Sequence, residues 1–579
     1  MSHTPNFDKK IQQILDATKP GGRVCALTGE KWFMDEEEIG WYKKFNVPAS
    51  RLAPLTRWWC QTGFFLGYQW WWNKHAKTGK PILTFVHPAT GIRVLPDKEW
   101  FEEDFVSAGR AVDFKLSFFK QMRELQLAVP MLSDRNAQEP INSISKFSMG
   151  DVNSYFVMFT KSRNTLFSGW SFDVENCSEL FNTSFVTNSF NIADSHHIHN
   201  CRFVRLSSNC LNSMFLFDCR NCEFCFGATN KRNKKYLWLN EQLSKDEWER
   251  RYSKIDMRSR LRLDEMVLQF RQLVQDAIWP ENFNEKAIDS IGEYLTNVTR
   301  VSWGYSCLDG VHDVKNVNYG KGDSYDSADC SGLVDSNNCY YSVNSVRSSQ
   351  IKYSYSCQDS QKLEYCMQCM NCEDCFGCIG LNRKKFCLLN KQYSEQDYWK
   401  LVDEIKCVML SVGDYGEFLP LSMSTGYFPE AGARFVGAPK TIGVEKLGAL
   451  DFDPNSEGAI GMELSQAKDI IQVSEVPDNI NDIDSNEWVG KAVFDPDFKR
   501  RFSYLRPEIE FHKKMGIALS RKHFISRFQS MIEELNNGRL ETDNCSNCEN
   551  EIIVANSLSY PNRTIYCKPC YLQHIEQNG

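Results

Sequence analysis

Long hydrophobic runs are missing from this sequence of 579 residues. No stretch reaches the roughly 18 uncharged apolar residues of a membrane-spanning helix. The first residues, MSHTPNFDKKIQQILDATKP, lack the apolar segment of about 7–15 residues that a signal peptide needs. We therefore expect no membrane span and a cytoplasmic location.

A strong charge of one sign is also missing, because 67 basic residues face 74 acidic ones and the net charge is -7. This balance argues against a surface that is cationic throughout, but it permits a local basic patch for nucleic acid. Cysteine, in contrast, is abundant, with 23 residues. In a reducing compartment these cysteines are expected to be metal ligands or buried thiols, not disulfides.

Two internal repeats organise the sequence. The inner repeat relates NCEFCFGATNKRNKKYLWLNEQLSKDEW at 221–248 to NCEDCFGCIGLNRKKFCLLNKQYSEQDY at 371–398, with a constant offset of 150 residues. The outer repeat, with an offset of 470 residues, relates EIGWYKK at 38–44 to EIEFHKK at 508–514. The chain therefore consists of an end module, two middle modules and a second end module.

The middle modules carry cysteines at regular spacing. Cys330, Cys339, Cys357, Cys366 and Cys375 fall on one nine-residue grid. Between such cysteines lie short runs rich in β-branched and aromatic residues, such as CRFVRL and SMFLF, which favour strands. Asn or Asp often precedes the cysteine, and Asn tolerates tight corners. This pattern predicts a β-solenoid in which each coil stacks on the next and the cysteines point inward as small apolar side chains.

The same cysteines permit a second interpretation, a metal cluster. Cys366, Cys369, Cys372, Cys375 and Cys378 recur at every third residue, close to the C-x2-C-x2-C spacing of iron–sulfur ligands. The first copy keeps three of these five cysteines. We favour buried thiols, with zinc and then an iron–sulfur cluster as the alternatives.

The strongest chemical signal lies at the C-terminus. Cys545-Ser-Asn-Cys548 and Cys567-Lys-Pro-Cys570 are two C-x2-C pairs separated by 18 residues, which is the spacing of a zinc ribbon. Two such pairs place four thiolates around one point and leave no coordination position open, as in structural sites. We therefore predict one structural Zn²⁺ held by these four cysteines.

The N-terminal end module lacks this set of ligands. The offset of 470 residues places His75, Thr78, Asp97 and Trp100 where the four cysteines lie, and Thr and Trp do not bind zinc. We therefore expect a degenerate ribbon that is held together by packing.

An uncharged stretch from residue 58 to residue 73 gives this end module an aromatic character. At this length, and with polar residues inside, it is too short and too polar to span a bilayer. It forms either a replacement core or an exposed interface for a protein partner or a second copy of the chain. The candidate interface residues are Trp58, Trp59, Trp70, Trp71 and Trp72.

Charge is partitioned before the C-terminal cysteines. Residues 451–497 carry twelve acidic and two basic side chains, a composition typical of a mobile linker. The following residues, 499–527, are strongly basic and are candidates for binding an anionic partner such as RNA or DNA. The basic candidates are Arg500, Arg501, Lys513, Lys514, Arg521, Lys522 and Arg527.

The layout resembles a group of cysteine-rich zinc-ribbon proteins from small-genome bacterial lineages whose function is unassigned. The resemblance rests on NCEDCFGCIGLNRKKFCLLNKQYS, GEFLPLSMSTGYFPE and the final YCKPCY at 566–571, and it covers the chain nearly end to end. It implies a ribbon at each end and a metal site at the four C-terminal cysteines. Some members carry a label as CaiB/BaiF-type CoA-transferases, but we can place neither a nucleophilic carboxylate nor a CoA cleft here.

The chain departs from this group in its N-terminal ribbon. The group has two cysteine pairs there, whereas this sequence keeps Cys25 and has Thr28, Ala53 and Thr56 in place of the others. The Arg-rich stretch that follows in the group is the Trp-rich stretch here. The chain is thus similar to a diverged member that has lost its N-terminal metal sites, and a nucleic-acid role for that ribbon does not carry over.

We predict a mainly β fold in which two duplicated β-solenoid segments are flanked by α+β zinc-ribbon-like end modules, with a helical connector. The predicted segments are a tail (1–24), a degenerate aromatic-rich ribbon-like module (25–140), solenoid 1 (150–240), the helical connector (241–297), solenoid 2 (298–390), a helix and loop (391–440), the acidic linker (441–497) and the C-terminal zinc ribbon (498–579).

The function that this organisation favours is a non-enzymatic, zinc-stabilised scaffold or macromolecule-binding protein within a larger assembly. The first alternative is a nucleic-acid or ribosome-associated protein that uses the basic C-terminal module. The second is an enzyme that acts on a polymer in a solenoid groove, which is an analogy at the level of the fold.

Overall fold

The computed structural model describes residues 2–65, 67–432 and 447–579, and the chain forms two compact units. Unit 1 consists of residues 1–133, 283–452 and 537–540, and unit 2 consists of residues 134–282, 453–536 and 541–579. Each unit therefore combines a middle module with an end module that is not its neighbour along the chain. The N-terminal end module belongs with the second middle module, and most of the C-terminal end module with the first.

The fold is rich in sheet, with 34% strand and 27% helix, and its sheets include one of twelve strands. This confirms the predicted mainly β character. The N-terminal end module contains α1 (Pro5–Ala17), β1 (Gly21–Val24), β2 (Lys31–Met34), α2 (Glu36–Phe45), α3 (Pro54–Thr62), β3 (Trp71–Lys74), β4 (Pro81–Thr84), β5 (Val94–Leu95), α4 (Asp97–Phe101), α5 (Phe118–Ala128) and β6 (Met131–Leu132).

The first middle module is a parallel stack of strands that we call ladder 1 (residues 144–242), and two helices follow it. Its strands are β7 (Ile144–Lys146), β8 (Tyr155–Arg163), β9 (Leu166–Glu175), β10 (Ser178–Thr187), β11 (Phe190–Ala193), β12 (His196–His199), β13 (Arg202–Arg205), β14 (Ser208–Leu211), β15 (Met214–Phe217), β16 (Phe226–Thr229), β17 (Leu237–Trp238) and β18 (Glu241–Gln242). The helices are α6 (Lys245–Tyr252) and α7 (Arg260–Asp276).

After β19 (Ile278–Pro280), the second middle module forms ladder 2 (residues 285–392). Its strands are β20 (Glu285–Ile288), β21 (Ile291–Glu293), β22 (Thr296–Tyr305), β23 (His312–Asn318), β24 (Tyr325–Val334), β25 (Val343–Val346), β26 (Ser349–Lys352), β27 (Gln361–Glu364), β28 (Glu373–Phe376), β29 (Lys385–Leu388) and β30 (Lys391–Gln392). The helix α8 (Glu395–Val412) follows.

The C-terminal part of the chain returns to mixed structure. Its elements are α9 (Glu457–Ile460), α10 (Met462–Ser465), β31 (Ile470–Gln472), α11 (Ser485–Trp488), β32 (Ala492–Asp495), β33 (Arg500–Phe502), α12 (Arg506–Met515), α13 (Phe524–Glu533), β34 (Asn536–Asn544), β35 (Glu551–Ser557), β36 (Thr564–Tyr566) and α14 (Lys568–Asn578). Helices α2 and α12 begin 470 residues apart, as do α3 and α13.

Strands in the ladders pair in parallel with a register of twelve residues. In ladder 1, Ser178 lies beside Phe190, Phe190 beside Arg202, and Arg202 beside Met214. Ladder 2 has the same register from β24 onward, whereas β22, β23 and β24 pair at a spacing of thirteen residues. One coil is therefore twelve or thirteen residues long. The nine-residue grid of cysteines marks inward positions separated by three quarters of a coil, not the coil itself.

Each coil turns at every third residue. From Asn176 to Asn200, every third residue has a φ between 46° and 60°, which is the left-handed region. The residue after each of these corners is buried at Cys177, Leu180 and Val186. Among the described residues, no Val, Ile or Thr has a positive φ, because branching at Cβ makes that conformation costly. The backbone thus needs a corner residue and an inward residue in every triplet.

One buried ion network joins an end module to its ladder in each unit. In unit 1, Arg57 of α3 lies 3.0 Å from Glu38 and 3.3 Å from Asp329 of ladder 2. In unit 2, three residues at the corresponding offsets form the same network, in which Arg527 lies 2.9 Å from Glu508 and 2.8 Å from Glu179. The arginines and acids are almost completely buried, where each charge needs its partner.

The segment that we predicted as an acidic linker has structure where it is described. Residues 441–446 lie outside the described residues. Further along, Val476, Ile480, Ile483 and Val493 belong to a buried apolar cluster that also includes Tyr504. The acidic side chains therefore alternate with core residues, and from residue 470 onward the segment packs into unit 2 instead of forming a bare connection. Charge counting alone does not register those spaced apolar residues.

Candidate metal centre

The C-terminal cysteines are presented by a hairpin and by the start of a helix. Strands β34 and β35 form a two-stranded sheet, and the first C-x2-C pair lies in the turn between them. In this turn the Cys545 N–H donates to Asn550 O at 2.8 Å, and the Glu549 N–H donates to Cys545 O at 2.9 Å. These bonds turn the chain tightly, so that both thiols of the pair lie on the same side.

The second pair follows β36, where Cys567 is the residue before α14 and Cys570 lies in its first turn. The Ser546 N–H donates to Ile565 O at 2.9 Å, which fixes β36 beside the turn of the first pair. The N-terminus of a helix favours negative charge because its first N–H groups have no partner within the helix. The second pair of thiols therefore lies where a thiolate is stabilised.

The four sulfurs converge. All four Sγ atoms lie within 4.8 Å of one another, and Cys548 Sγ is 3.7 Å from Cys567 Sγ. Four thiolates at the usual Zn–S distance of about 2.3 Å in a tetrahedron would be about 3.8 Å apart. Among the described residues, no other group of His, Cys, Asp or Glu meets the same geometric condition. The four predicted cysteines therefore form a group that can hold a metal ion.

Donors around the sulfurs favour ionised thiols. The Cys567 N–H donates to Cys545 Sγ at 3.2 Å, and the Asn547 side-chain amide donates to Cys570 Sγ at 3.2 Å. Burial opposes ionisation of Cys545, but backbone N–H groups of Cys567, Asn547 and Cys548 outweigh it and lower the pKa of this thiol to about 6. A thiolate is the form that binds a metal ion.

Two N-terminal hairpins repeat the backbone of this turn without its ligands. The Cys25 N–H donates to Glu30 O at 2.7 Å in the hairpin of β1 and β2, and the His75 N–H donates to Lys80 O at 2.9 Å in the hairpin of β3 and β4. The bond from Ser546 to Ile565 also recurs, as Ala26 to Arg51 at 3.0 Å and Ala76 to Val94 at 2.8 Å. The three turns are therefore built alike.

This correspondence corrects part of the expected match by offset. Counting from the shared bond, Cys567 and Cys570 correspond to Pro96 and Glu99, not to Asp97 and Trp100. The reason is one residue of difference in the length of the hairpin, which a constant offset cannot follow. In the structure His75 Nε2 is 3.1 Å from Glu99 Oε1, whereas Trp100 is buried. An ion pair and packing hold this turn together.

The first hairpin has also exchanged ligands for hydrogen bonds. Cys25 Sγ donates to Thr56 Oγ1 at 3.5 Å, and Thr28 Oγ1 lies 3.5 Å from the same atom. Ala53, at the place of a third ligand, is buried. Threonine hydroxyls and an alanine methyl group do not replace thiolates as zinc ligands.

The central cysteines lie inside the ladders. From Cys366 to Cys378, every third residue is a buried cysteine. The Sγ atoms of Cys366, Cys369 and Cys372 lie 3.4 or 3.5 Å from the carbonyl oxygens nine residues further on. These positions are the inward positions of the triplets, and a thiol that meets a carbonyl oxygen there acts as a weak donor in the core.

The seven basic candidates occupy different environments. Lys513, Lys514 and Lys522 are exposed, Arg501 and Arg521 are half-buried, and Arg500 and Arg527 are buried. Arg501 Nη1 donates to Ser465 O at 2.8 Å, and Arg521 Nη2 donates to Val476 O at 2.6 Å. The arginines thus serve contacts inside unit 2, and the exposed charge is carried by the lysines.

The tryptophan candidates are mostly core. Trp58, Trp59, Trp70 and Trp71 are at most 5% exposed, whereas Trp72 is 37% exposed. Trp58 Nε1 donates to the Asn316 carbonyl oxygen of ladder 2 at 2.8 Å. The aromatic stretch therefore packs inside unit 1, and of these five side chains only Trp72 is exposed.

Sequence reasoning missed a cavity in unit 2. Its lining comes from ladder 1, from α7 and from α13 with the residues before it, and these segments are far apart in the sequence. The signal that could have revealed it is a comparison of the two repeats, because polar residues in unit 2 correspond to aromatic residues in unit 1.

No helix within the described ranges has both the length and the apolar composition needed to cross a bilayer. In the comparisons with known proteins, no protein-family model matches the chain, and no curated protein matches it significantly.

Proposed function

We propose that this chain is a non-enzymatic binding protein whose C-terminal end module is stabilised by one structural zinc ion. The convergence of four cysteine sulfurs within 4.8 Å carries this proposal. Zinc fits the donor set because a closed shell of four thiolates is typical of structural zinc sites and leaves no position for a substrate or a water. Cys545, Cys548, Cys567 and Cys570 would hold the ion, and the ion would supply folding energy to a small hairpin.

We further propose that the two ladders are coils of β-solenoids that serve as rigid scaffolds. The parallel register of twelve residues supports this proposal, because in a solenoid each coil contacts mainly its neighbours. Stacked side chains at the corners give it further support, since Asn200 donates to Asn212 at 2.8 Å and Asn182 donates to Asp194 at 2.7 Å. Such a body presents long regular faces to a partner.

The described cysteines are all free thiols. This supports a role inside the cell, where the redox environment keeps thiols reduced, as well as the similarity to cysteine-rich zinc-ribbon proteins. We propose both as working assumptions for experiments, which should use reducing buffer and no added metal other than zinc.

The metal content of the purified protein tests the zinc proposal. We expect about one zinc per chain by inductively coupled plasma mass spectrometry. Cys548→Ser should lose this zinc, because three thiolates and a hydroxyl bind it far more weakly. Cys407→Ser is the matched control, since Cys407 is a partly exposed free cysteine of α8 outside the group.

The zinc proposal fails if wild-type protein contains no zinc after purification with zinc in the medium. It also fails if Cys407→Ser loses zinc to the same extent as Cys548→Ser, because the metal would then be bound without regard to the four-cysteine group. Two or more tightly held metal ions, or iron, would favour a cluster at the central cysteines instead.

A further inference from the structure

A cavity of about 190 Å³ lies within unit 2. Ladder 1 contributes one wall, α7 a second, and α13 with the residues before it a third. A cavity of this size has room for roughly a dozen waters. Since protein interiors have few voids larger than one water, it is a built feature and not a packing defect.

Cationic side chains dominate its lining. Three carboxylates, those of Glu179, Asp264 and Glu534, also line it. Six cationic residues face them and leave an excess of positive charge: Arg205, Arg260, Arg271, Arg521, Lys522 and Arg527.

The lining carboxylates do not neutralise all of these cations. Arg205 and Arg271 share Glu534, at 2.7 and 2.8 Å, and Arg260 pairs with Asp264. Arg521 has no carboxylate within ion-pair distance among the described residues, and it donates to a backbone oxygen at 2.6 Å. The exposed Lys522 lies next to it in the sequence.

Several of the arginine N–H groups are buried without an acceptor. The Nε atoms of Arg260, Arg521 and Arg527 are buried and make no hydrogen bond to the described residues. Arg527 is among the most enclosed, since its side chain is 5% exposed. Buried donors without a partner are costly, so donors of this kind beside a cavity indicate a ligand that accepts from them.

The two halves of the protein provide an internal comparison. At the corresponding offsets, Arg205 and Glu534 are replaced by Tyr355 and Phe64, whose ring centroids are 5.6 Å apart. Asn191 of the cavity is replaced by Tyr341, which stacks on Phe418 at 5.1 Å. Unit 1 thus places buried aromatic rings at positions where unit 2 has polar side chains around a cavity.

The arginine at the cavity mouth differs in the same way. Arg51 of unit 1 corresponds to Arg521 and donates to Glu417 at 2.9 Å, so its charge is neutralised. Unit 2 has kept the same arginine without such an acid. The cavity and the free positive charge occur together in one half and are missing together from the corresponding part of the other.

We propose that this cavity binds a small organic phosphate, that is, a phosphate monoester with a compact apolar group. Guanidinium groups match the geometry of phosphate oxygens with two parallel N–H donors. The apolar group would lie against the remaining wall, which consists of Phe190, Phe203, Val267, Phe270 and Met531. This inference specifies the ligand of the proposed binding function, and the metal-binding cysteines take no part in it.

Isothermal titration calorimetry on the full-length, zinc-loaded protein tests the proposal with phenyl phosphate, inorganic phosphate and phenol as probes. We expect phenyl phosphate to bind most tightly, inorganic phosphate more weakly and phenol not measurably. The double variant R521Q/K522Q should weaken phenyl phosphate binding by about tenfold or more. V267W, which fills the cavity from α7, should abolish binding.

Lys513→Gln is the matched control, because this exposed lysine belongs to the same end module but does not line the cavity. It should bind phenyl phosphate as the wild type does. The zinc content of each variant should stay unchanged, so a failure of phosphate binding is distinguishable from a failure of the metal proposal.

Three results would overturn the inference. The first is no binding of either phosphate by wild-type protein, and the second is unchanged binding in both R521Q/K522Q and V267W. The third is tighter binding of an oligonucleotide with a 5′-phosphate than of phenyl phosphate, since the natural ligand would then be a nucleic-acid end. Equal affinity for inorganic and phenyl phosphate would overturn the role given to the apolar wall.

Discussion

At the scale of single residues, the same amino acid has two roles that depend on its neighbours. Burial raises the pKa of Cys307 in ladder 2 to about 12, and that thiol stays protonated in the core. Backbone donors lower the pKa of Cys545 to about 6 despite opposing burial. The C-x2-C spacing was sufficient to predict the ligand set at the C-terminus. The spacing of three in Cys366–Cys378 was ambiguous, because it reflects inward positions of the triplets and also resembles a cluster motif.

His512 predicts a dependence of stability on pH. Its Nδ1 donates to Ala518 O at 3.1 Å, while its Nε2 is buried with no partner among the described residues. Burial therefore lowers its pKa to about 4, whereas an unfolded histidine has a pKa of about 6.5. Between these values the unfolded chain binds a proton that the folded chain does not, so stability is lost as pH falls from about 6.5 toward 4, by up to ~3 kcal/mol for this one group.

Urea denaturation of wild-type protein and His512→Gln at pH 7, 5.5 and 4.5 measures this effect. The variant keeps a side-chain N–H donor but has no group that titrates in this range, so its disadvantage relative to wild type should shrink as the pH falls. A difference that stays constant over this range would contradict the assignment of a neutral, buried His512. The exposed His197, which stacks on Phe185 at 4.8 Å, offers a matched control in His197→Gln.

At the scale of elements, the coil of the ladders follows from the corner residue. The sequence predicted strands and turns of short period, because Asn and small inward residues recur visibly. It did not reveal the coil length of twelve residues. The cysteines occupy only some inward positions, and their commonest separation is nine. Phe203 and Leu206 also occupy corners, at φ of 56° and 52°, so corner positions cannot be recognised by residue type alone.

Asn200 tests the left-handed corner directly. It has a φ of 52°, and its side chain donates to Asn212 Oδ1 at 2.8 Å. Asn200→Val should destabilise unit 2 by about 1–2 kcal/mol more than Asn200→Gly, because a β-branched residue is strained at positive φ and glycine is not. Both variants lose the same hydrogen bond, so the difference in the free energy of unfolding isolates the backbone.

That difference should be measured by urea denaturation followed by circular dichroism. Equal stability of the two variants would mean that the corner has shifted to another conformation. Cys201→Ala at the adjacent inward position is a useful reference, since it changes core packing and leaves the corner residue intact.

At the scale of the whole molecule, the chain pairs modules that are distant in sequence. The offsets of 150 and 470 residues predicted four modules, but nothing in them indicates which end module contacts which ladder. Buried ion networks around Arg57 and Arg527 answer this, and they depend on acids in the ladders that look like ordinary surface residues in the sequence. The cavity was not predicted for the same reason, since its charges come from separate segments.

The two units therefore differ in what stabilises their end modules, and chelation of the metal should separate them. The hairpin of β34 and β35 depends on four thiolates, whereas the hairpin of β3 and β4 is held by the ion pair of His75 and Glu99 at 3.1 Å. We expect a chelator to reduce protection from hydrogen exchange about a hundredfold in residues 541–579, which corresponds to ~3 kcal/mol. Residues 71–84 should keep their protection, because no ion contributes to it. Hydrogen-exchange mass spectrometry of the full chain resolves both segments in one sample, and Cys548→Ser without chelator should reproduce the pattern. An equal loss of protection in both hairpins would show that the N-terminal turn also depends on a metal, and then the exchange of its ligands for an ion pair would not explain its stability.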